Sequence, residues 1–338
     1  MATRCKTFLL PVTRRGLPFA ASLLRATAEK AAVSFGGVPP LQFRVAAASR
    51  EHERALRSLF PQLLAGHADE PVANWTRPED VAEALGGCDG AILAASGSGG
   101  DVFAVQDAAM SEWIDCERRI AASIPKDCEV LKLSWASGLV GERSPTAAGR
   151  AHWEIEQELV AAVGDAAKLR MVRAPTGMDA FLQGRLFDLV CGRTLSTSVK
   201  RGRVALVHPL DVAESLSALL LQAAKREDVA ESPDVGVFAL TGPEALSFQE
   251  IAAQLSEGIG EQVRYSHFPQ WAVQPARWIQ GVPGDAIEEE LAVVRALEGG
   301  AQQEVDTTLM ETLLGHKPRS FREFVAENAK AWPRASSS

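Results

Sequence analysis

Apolar residues along the first 225 positions gather into short runs, separated by longer stretches in which they recur every three or four residues. Thr7 to Val12, Phe43 to Ala48, Pro71 to Trp75, Gly90 to Ala95, Glu129 to Ser134, Leu169 to Arg173 and Arg203 to Val207 read as strands, and the periodic stretches as helices. Strands alternating with helices predict a doubly wound parallel sheet covered on both faces, an α/β fold. After residue 225 the rhythm changes. Val237 to Leu240 reads as a strand broken by Thr241-Gly242-Pro243, and Ser247 with Glu250 forms a capping box. Ile251, Leu255 and Ile259 then recur at helical spacing until Gly258 and Gly260, before a strand from Val263 to His267. The expected division is a large domain over residues 1–225 and a smaller α+β region over 226–335, packed on the first.

Composition narrows the class. The 338 residues are 46% hydrophobic and 23% charged, which fits a globular chain with a sizeable core. A net charge of -8 argues against a general nucleic-acid binder. Cys5, Cys88, Cys116, Cys128 and Cys191 are widely spaced and lack a CxxC pair, so neither a disulfide framework nor a metal site is expected. The same usage suits a reducing, cytoplasmic setting. No apolar run reaches the roughly 18 residues of a membrane span. Residues 1 to 28 carry five basic residues and no acid, as a transit peptide would, although Thr7 to Val12 also makes a good first strand.

The run GVFALTGPEALSFQEIAAQLSEGIGEQVRYSHF, residues 236 to 268, resembles the corresponding segment of the NmrA-like proteins. These are an atypical branch of the short-chain dehydrogenase/reductases that includes relatives of the ergot-alkaloid reductases. VRAPTGMDAFLQ (172 to 183), VALVHPLDVAESLSALL (204 to 220) and LLGHKPRSFREFVAENA (313 to 329) occur in family order. The resemblance spans roughly residues 5 to 330 and is strong from Val130 onward. It implies an NAD(P)-binding Rossmann domain over 1–225 and a substrate-facing region beyond it.

A dinucleotide fold needs closely spaced glycines after its first strand, so that backbone can approach the pyrophosphate. The loop here is VTRRGLPFAAS. By the resemblance, Arg14, Leu17 and Ala20 occupy glycine positions and only Gly16 survives nearby. Thr13, Arg14, Arg15 and Gly16 are the phosphate-side candidates, with the two arginines able to neutralise phosphate directly. The second strand ends at Arg50 without a carboxylate for the ribose hydroxyls, so NADP is expected over NAD; an exposed arginine opening a charged helix is the alternative. Asn74 and Trp75 match the family's adenine-facing pair, and Thr76 with Glu79 could instead cap the next helix. Ser96 and Gly97, in the SGSGG segment after the fourth strand, fall where ligands sit in open α/β sheets.

The superfamily's usual Tyr and Lys, four residues apart, are excluded by counting: the one tyrosine, Tyr265, is followed by Ser-His-Phe-Pro. In their place stand His152 and Glu156, one helical turn apart, a trait the resemblance assigns to the family. The pair reads either as a proton relay, with Glu156 raising the histidine pKa, or as a structural helix pair. Ser134 matches the family position near the nicotinamide and substrate carbonyl. Met178, Phe181 and Trp271 are the expected substrate contacts. Asp211 reads as the N-cap of a helix over 212–222, and His208 as structural.

These readings imply an NADPH-dependent reductase of a small ketone, quinone, imine or conjugated double bond. Two alternatives stand beside it. One is a non-catalytic protein that senses the dinucleotide or binds a protein partner. The other is a relative that has lost its cofactor.

Overall fold

The computed structural model describes residues 5–13, 16–35, 41–47, 50–64, 75–94, 108–135, 138–165, 168–225 and 237–333. In chain order the elements are β1 (Lys6–Val12), α1 (Leu17–Phe35), β2 (Leu41–Ala47), α2 (Arg50–Leu59), α3 (Pro78–Leu85), β3 (Gly90–Leu93), α4 (Ala108–Ala121) and β4 (Glu129–Trp135). Next come α5 (Ala147–Ala162), β5 (Leu169–Ala174), a 3₁₀ turn (Met178–Leu182), α6 (Gly184–Cys191), β6 (Thr194–Thr197), β7 (Arg203–Val204) and α7 (Pro209–Lys225). The last part holds β8 (Val237–Ala239), β9 (Leu246–Ser247), α8 (Phe248–Ile259), β10 (Arg264–His267), α9 (Gln270–Ile279), α10 (Gly284–Glu298), α11 (Thr308–Leu314) and α12 (Phe321–Asn328).

Six strands form a parallel sheet in the order β2-β1-β3-β4-β5-β8, a Rossmann-like arrangement. The chain winds outward from β1 in both directions, which leaves a crevice outside the carboxyl ends of β1 and β3. Strand alternation separates two cores. Phe8, Leu10 and Val12 of β1 join Leu131 and Leu133 of β4 in the core under α1 and α7. Leu9 and Val130 lie in the other core, with Trp113, Ile120 and Ile155 of α4 and α5. Lys132 and Ser134 share the strand parity of Val130 and so face α4 and α5.

Several sequence expectations change. Arg203 to Val207 does not enter the sheet: Arg203 and Val204 pair antiparallel with β9, and Val207 bridges Gly177. The sixth sheet strand is instead β8, which lies beyond residue 225. Its side chains are only half covered, as suits an edge strand. In addition, β10 pairs in parallel with β6, a polar Thr-Leu-Ser-Thr run that carries little strand signal. Of the expected strand Pro71 to Trp75, only Trp75 falls within the described residues, in a turn before α3. The capping residue of α3 is Arg77, which makes no side-chain cap, so Thr76 and Glu79 form no capping box.

The expected box at Ser247 and Glu250 is present, and Gly260 closes α8 at φ 75°. A second box, Ser320 with Glu323, opens α12. Asp211 is not an N-cap: it lies inside the first turn of α7, where its carboxylate accepts the Arg319 backbone N–H at 2.7 Å and pairs with the Arg319 guanidinium. His208 does the capping, with Nδ1 accepting the Leu210 N–H at 3.2 Å.

Candidate active site

Because the strands are parallel, Thr13, Ser134 and the end of β5 share the carboxyl edge of the sheet. Thr13 is buried and its Oγ1 accepts the Gly16 backbone N–H at 3.1 Å, and the Gly16 carbonyl accepts from Ala20 to start α1. The N-terminus of α1 therefore points into the crevice beside β1. Ala20 lies in the core and Leu17 packs partly buried against it, at positions where the resemblance expects glycines. Pro18 supplies no N–H, so this helix start offers fewer backbone donors than a glycine-rich one.

Arg14, Arg15, Asn74, Ser96, Gly97 and the side chain of Arg50 lie outside the described residues. Trp75 is buried in the core with Leu9, Ala46 and Val81, and its Nε1 has no hydrogen-bond partner.

At β4 the picture is dense. Ser134 is buried and its Oγ has no hydrogen-bond partner among the described residues. His152, on α5, is fully buried and stacks on Trp113 with ring centroids 4.4 Å apart and 20° between planes. Trp135 lies across the ring at 5.9 Å. Nδ1 of His152 meets Lys132 Nζ at 3.0 Å, and Nε2 has no partner. Lys132 Nζ also lies 2.6 Å from Glu117 Oε2, with both side chains at 0% exposure.

The expected coupling of His152 to Glu156 is absent. Glu156 is bound by Arg173 of β5 through Nε at 3.2 Å and through Nη2. Burial, and then the charges of Lys132 and Arg173, push the His152 pKa well below its ordinary value, not above it. The reason is geometric: residues four apart on α5 share a face, but that face meets two strands, and each strand supplies its own cation. Lys132, Glu117 and Trp113 escaped the sequence reading. A lysine in the apolar run Val-Leu-Lys-Leu was the available signal.

The expected substrate contacts do not converge. Met178 and Phe181 are buried; Phe181 packs on Phe321 with centroids 5.1 Å apart, and its carbonyl accepts from Trp332 Nε1 at 2.9 Å. The 3₁₀ turn is thus used as core. Trp271, on α9, is 82% exposed. Tyr265 donates to the Val199 carbonyl at 2.6 Å, a structural bond that ties β10 to the segment after β6.

No family profile matches the chain. Among curated proteins it is 24% identical over 140 residues to agroclavine dehydrogenase of Claviceps fusiformis, covering 41% of this chain and 45% of that protein. It is 32% identical over 129 residues to (4-alkanoyl-5-oxo-2,5-dihydrofuran-3-yl)methyl phosphate reductase of Streptomyces griseus, covering 38% and 42%. The match thus spans less than half the length of either relative. Among solved structures, Citrobacter sp. triphenylmethane reductase complexed with NADP(H) superposes with a TM-score of 0.68 at 15% identity, covering 95% of this chain and 99% of that one. NmrA, a negative transcriptional regulator in complex with NAD, gives 0.56 at 15%, covering 96% and 95%. Among the described residues, no helix is long and apolar enough to cross a membrane and no group of side chains could hold a metal ion.

Proposed function

From the chain's similarity to NmrA-like proteins and reductases, we propose that it is an NAD(P)H-dependent oxidoreductase that reduces a small organic substrate. The observation that carries this reading is the pair of buried polar atoms, Ser134 Oγ and His152 Nε2, left without hydrogen-bond partners beside the carboxyl end of β4. Unsatisfied buried polar groups are costly, and a ligand that completes these two would account for them. A nicotinamide cofactor would lie in the crevice outside the carboxyl ends of β1 and β3. Thr13, Gly16 and the start of α1 would hold its pyrophosphate, and Arg50 would favour the 2′-phosphate of NADP. When bound it would supply hydride.

The chain's own residues then orient the substrate. Ser134 and His152 would bind the atom that becomes more negative as a ketone, quinone, imine or conjugated double bond is reduced. The names of the relatives, two of them reductases, support this class without choosing within it. Arg14, Leu17 and Ala20, where the family has glycines, favour a second reading: a protein that binds the dinucleotide without turnover, or one that has ceased to bind it.

Calorimetric titration with NADPH and then NADH, followed by a substrate panel, tests these readings. Micromolar NADPH binding with hydride consumption is expected. Binding without consumption across the panel would move the protein to the sensing class, and failure to bind either nucleotide would end the reductase reading. An Arg50→Glu variant should weaken NADPH far more than NADH; equal losses would remove Arg50 from the phosphate site.

A further inference from the structure

A lysine with no exposure inside a parallel sheet is costly to bury, and Lys132 has no part in binding cofactor or substrate as described so far. Its ammonium carries three hydrogens and no lone pair. It hydrogen-bonds the Leu133 carbonyl at 2.6 Å and His152 Nδ1 at 3.0 Å, and its charge pairs with Glu117 Oε2 at 2.6 Å. Nδ1 must therefore accept, which leaves the single proton of a neutral imidazole on Nε2.

The ring cannot readily turn to exchange its nitrogens, because Trp113 stacks on one face and Trp135 lies across it. The cations of the strands packed against it each have a carboxylate partner. Lys132 of β4 faces Glu117 of α4, and Arg173 of β5 faces Glu156 of α5. A second proton on the ring is disfavoured by its burial among these pairs. Burial and the two cations act in the same direction.

We propose that Glu117 and Lys132 are positioning residues that hold His152 as a neutral Nε2–H hydrogen-bond donor, aimed with Ser134 at the substrate atom that gains negative charge. This rests on the reductase reading. His152 keeps its proton throughout, and the reduced atom takes its proton from solvent. The group acts by stabilising charge at one atom, not by relaying protons with Glu156.

Nitrogen-15 NMR of histidine-labelled protein, with His152 assigned through a His152→Gln variant, reads the tautomer directly. A pyridine-like Nδ1 and a pyrrole-like Nε2, unchanged from roughly pH 5.5 to pH 8, are expected. A ring that titrates in that window, or carries its proton on Nδ1, overturns the proposal. The second test is the double variant Lys132→Met with Glu117→Leu, which removes both buried charges together and leaves neither unpaired. It should bind NADPH as the parent does, show His152 in mixed tautomers, and lose roughly tenfold in kcat, less than the roughly 100-fold expected for removing a donor itself. Unchanged kcat in a folded double variant also overturns it. The NMR readout does not depend on turnover: a parent that reduces nothing sinks the reductase reading, while the tautomer still decides whether Lys132 sets the ring.

Discussion

Arg173 and Glu156 make a two-point contact in the core, with the carboxylate almost wholly buried and the guanidinium at its edge. Such a pair adds little over apolar packing, yet removing one partner strands the other charge. Arg173→Met should therefore cost about 3 kcal/mol in urea unfolding, and adding Glu156→Leu should recover most of it. Additive losses in the double variant would show that the two side chains act independently.

His208 presents the same physics through titration. Burial, and then Arg319, hold its pKa down at about 4 against an ordinary 6.5, while Glu214 and Glu323 pull the other way. The unfolded chain takes up a proton below pH 6.5 and the folded chain does not until about pH 4, so stability falls as pH drops through that window. The loss reaches about 3 kcal/mol at its lower end. His208→Asn keeps an oxygen to cap Leu210 and removes the titration. Its stability should decline less between those pH values, and parallel curves for the two proteins would refute the assignment.

At the scale of elements, α8 and α12 pack directly against each other where Gly258 meets Val325, and a Cβ at 258 would run into the valine side chain. Gly258→Ala gains helix propensity but overpacks a closed contact, so a net loss of about 1 to 2 kcal/mol is expected by thermal or urea melting. A stabilised variant would mean that α12 can slide away at no cost.

Helix α8 also shows what the sequence could reveal. Its capping box, apolar spacing and left-handed glycine are all local, and each is where the pattern placed it. All six strands of the parallel sheet were legible as strands for the same reason. Partner choice was not: Arg203 to Val207 and Val237 to Leu240 are similar short apolar runs, and only the second pairs with β5. The site divides along the same line. Ser134 and His152 could be singled out by position, but Glu117 looks like a surface residue in Cys-Glu-Arg-Arg, and Lys132 is explained only by a glutamate fifteen positions earlier.

For the whole molecule, the boundary suggested near residue 225 is not a place where the fold can be cut. Strand β8, past that point, covers the edge of β5 from Met171 to Arg173. Arg319 neutralises Asp211 and pairs with Glu214 on α7. Phe321, Phe324 and Trp332 are buried, against Phe181 and His208 among others. Each of these aromatic side chains contributes about 1.5 to 3 kcal/mol by burial, so together they rival the roughly 5 to 15 kcal/mol by which a typical domain is stable. A fragment of residues 1–225 would expose the β5 edge, leave Asp211 buried without its cation and open the core above the 3₁₀ turn. It should show little near-ultraviolet circular dichroism and no cooperative urea transition, whereas the full chain should unfold in one transition that coincides by fluorescence and circular dichroism. A sharp, reversible melt of the fragment would show that the C-terminal part is an accessory to the sheet, and that the site at β4 is held without it.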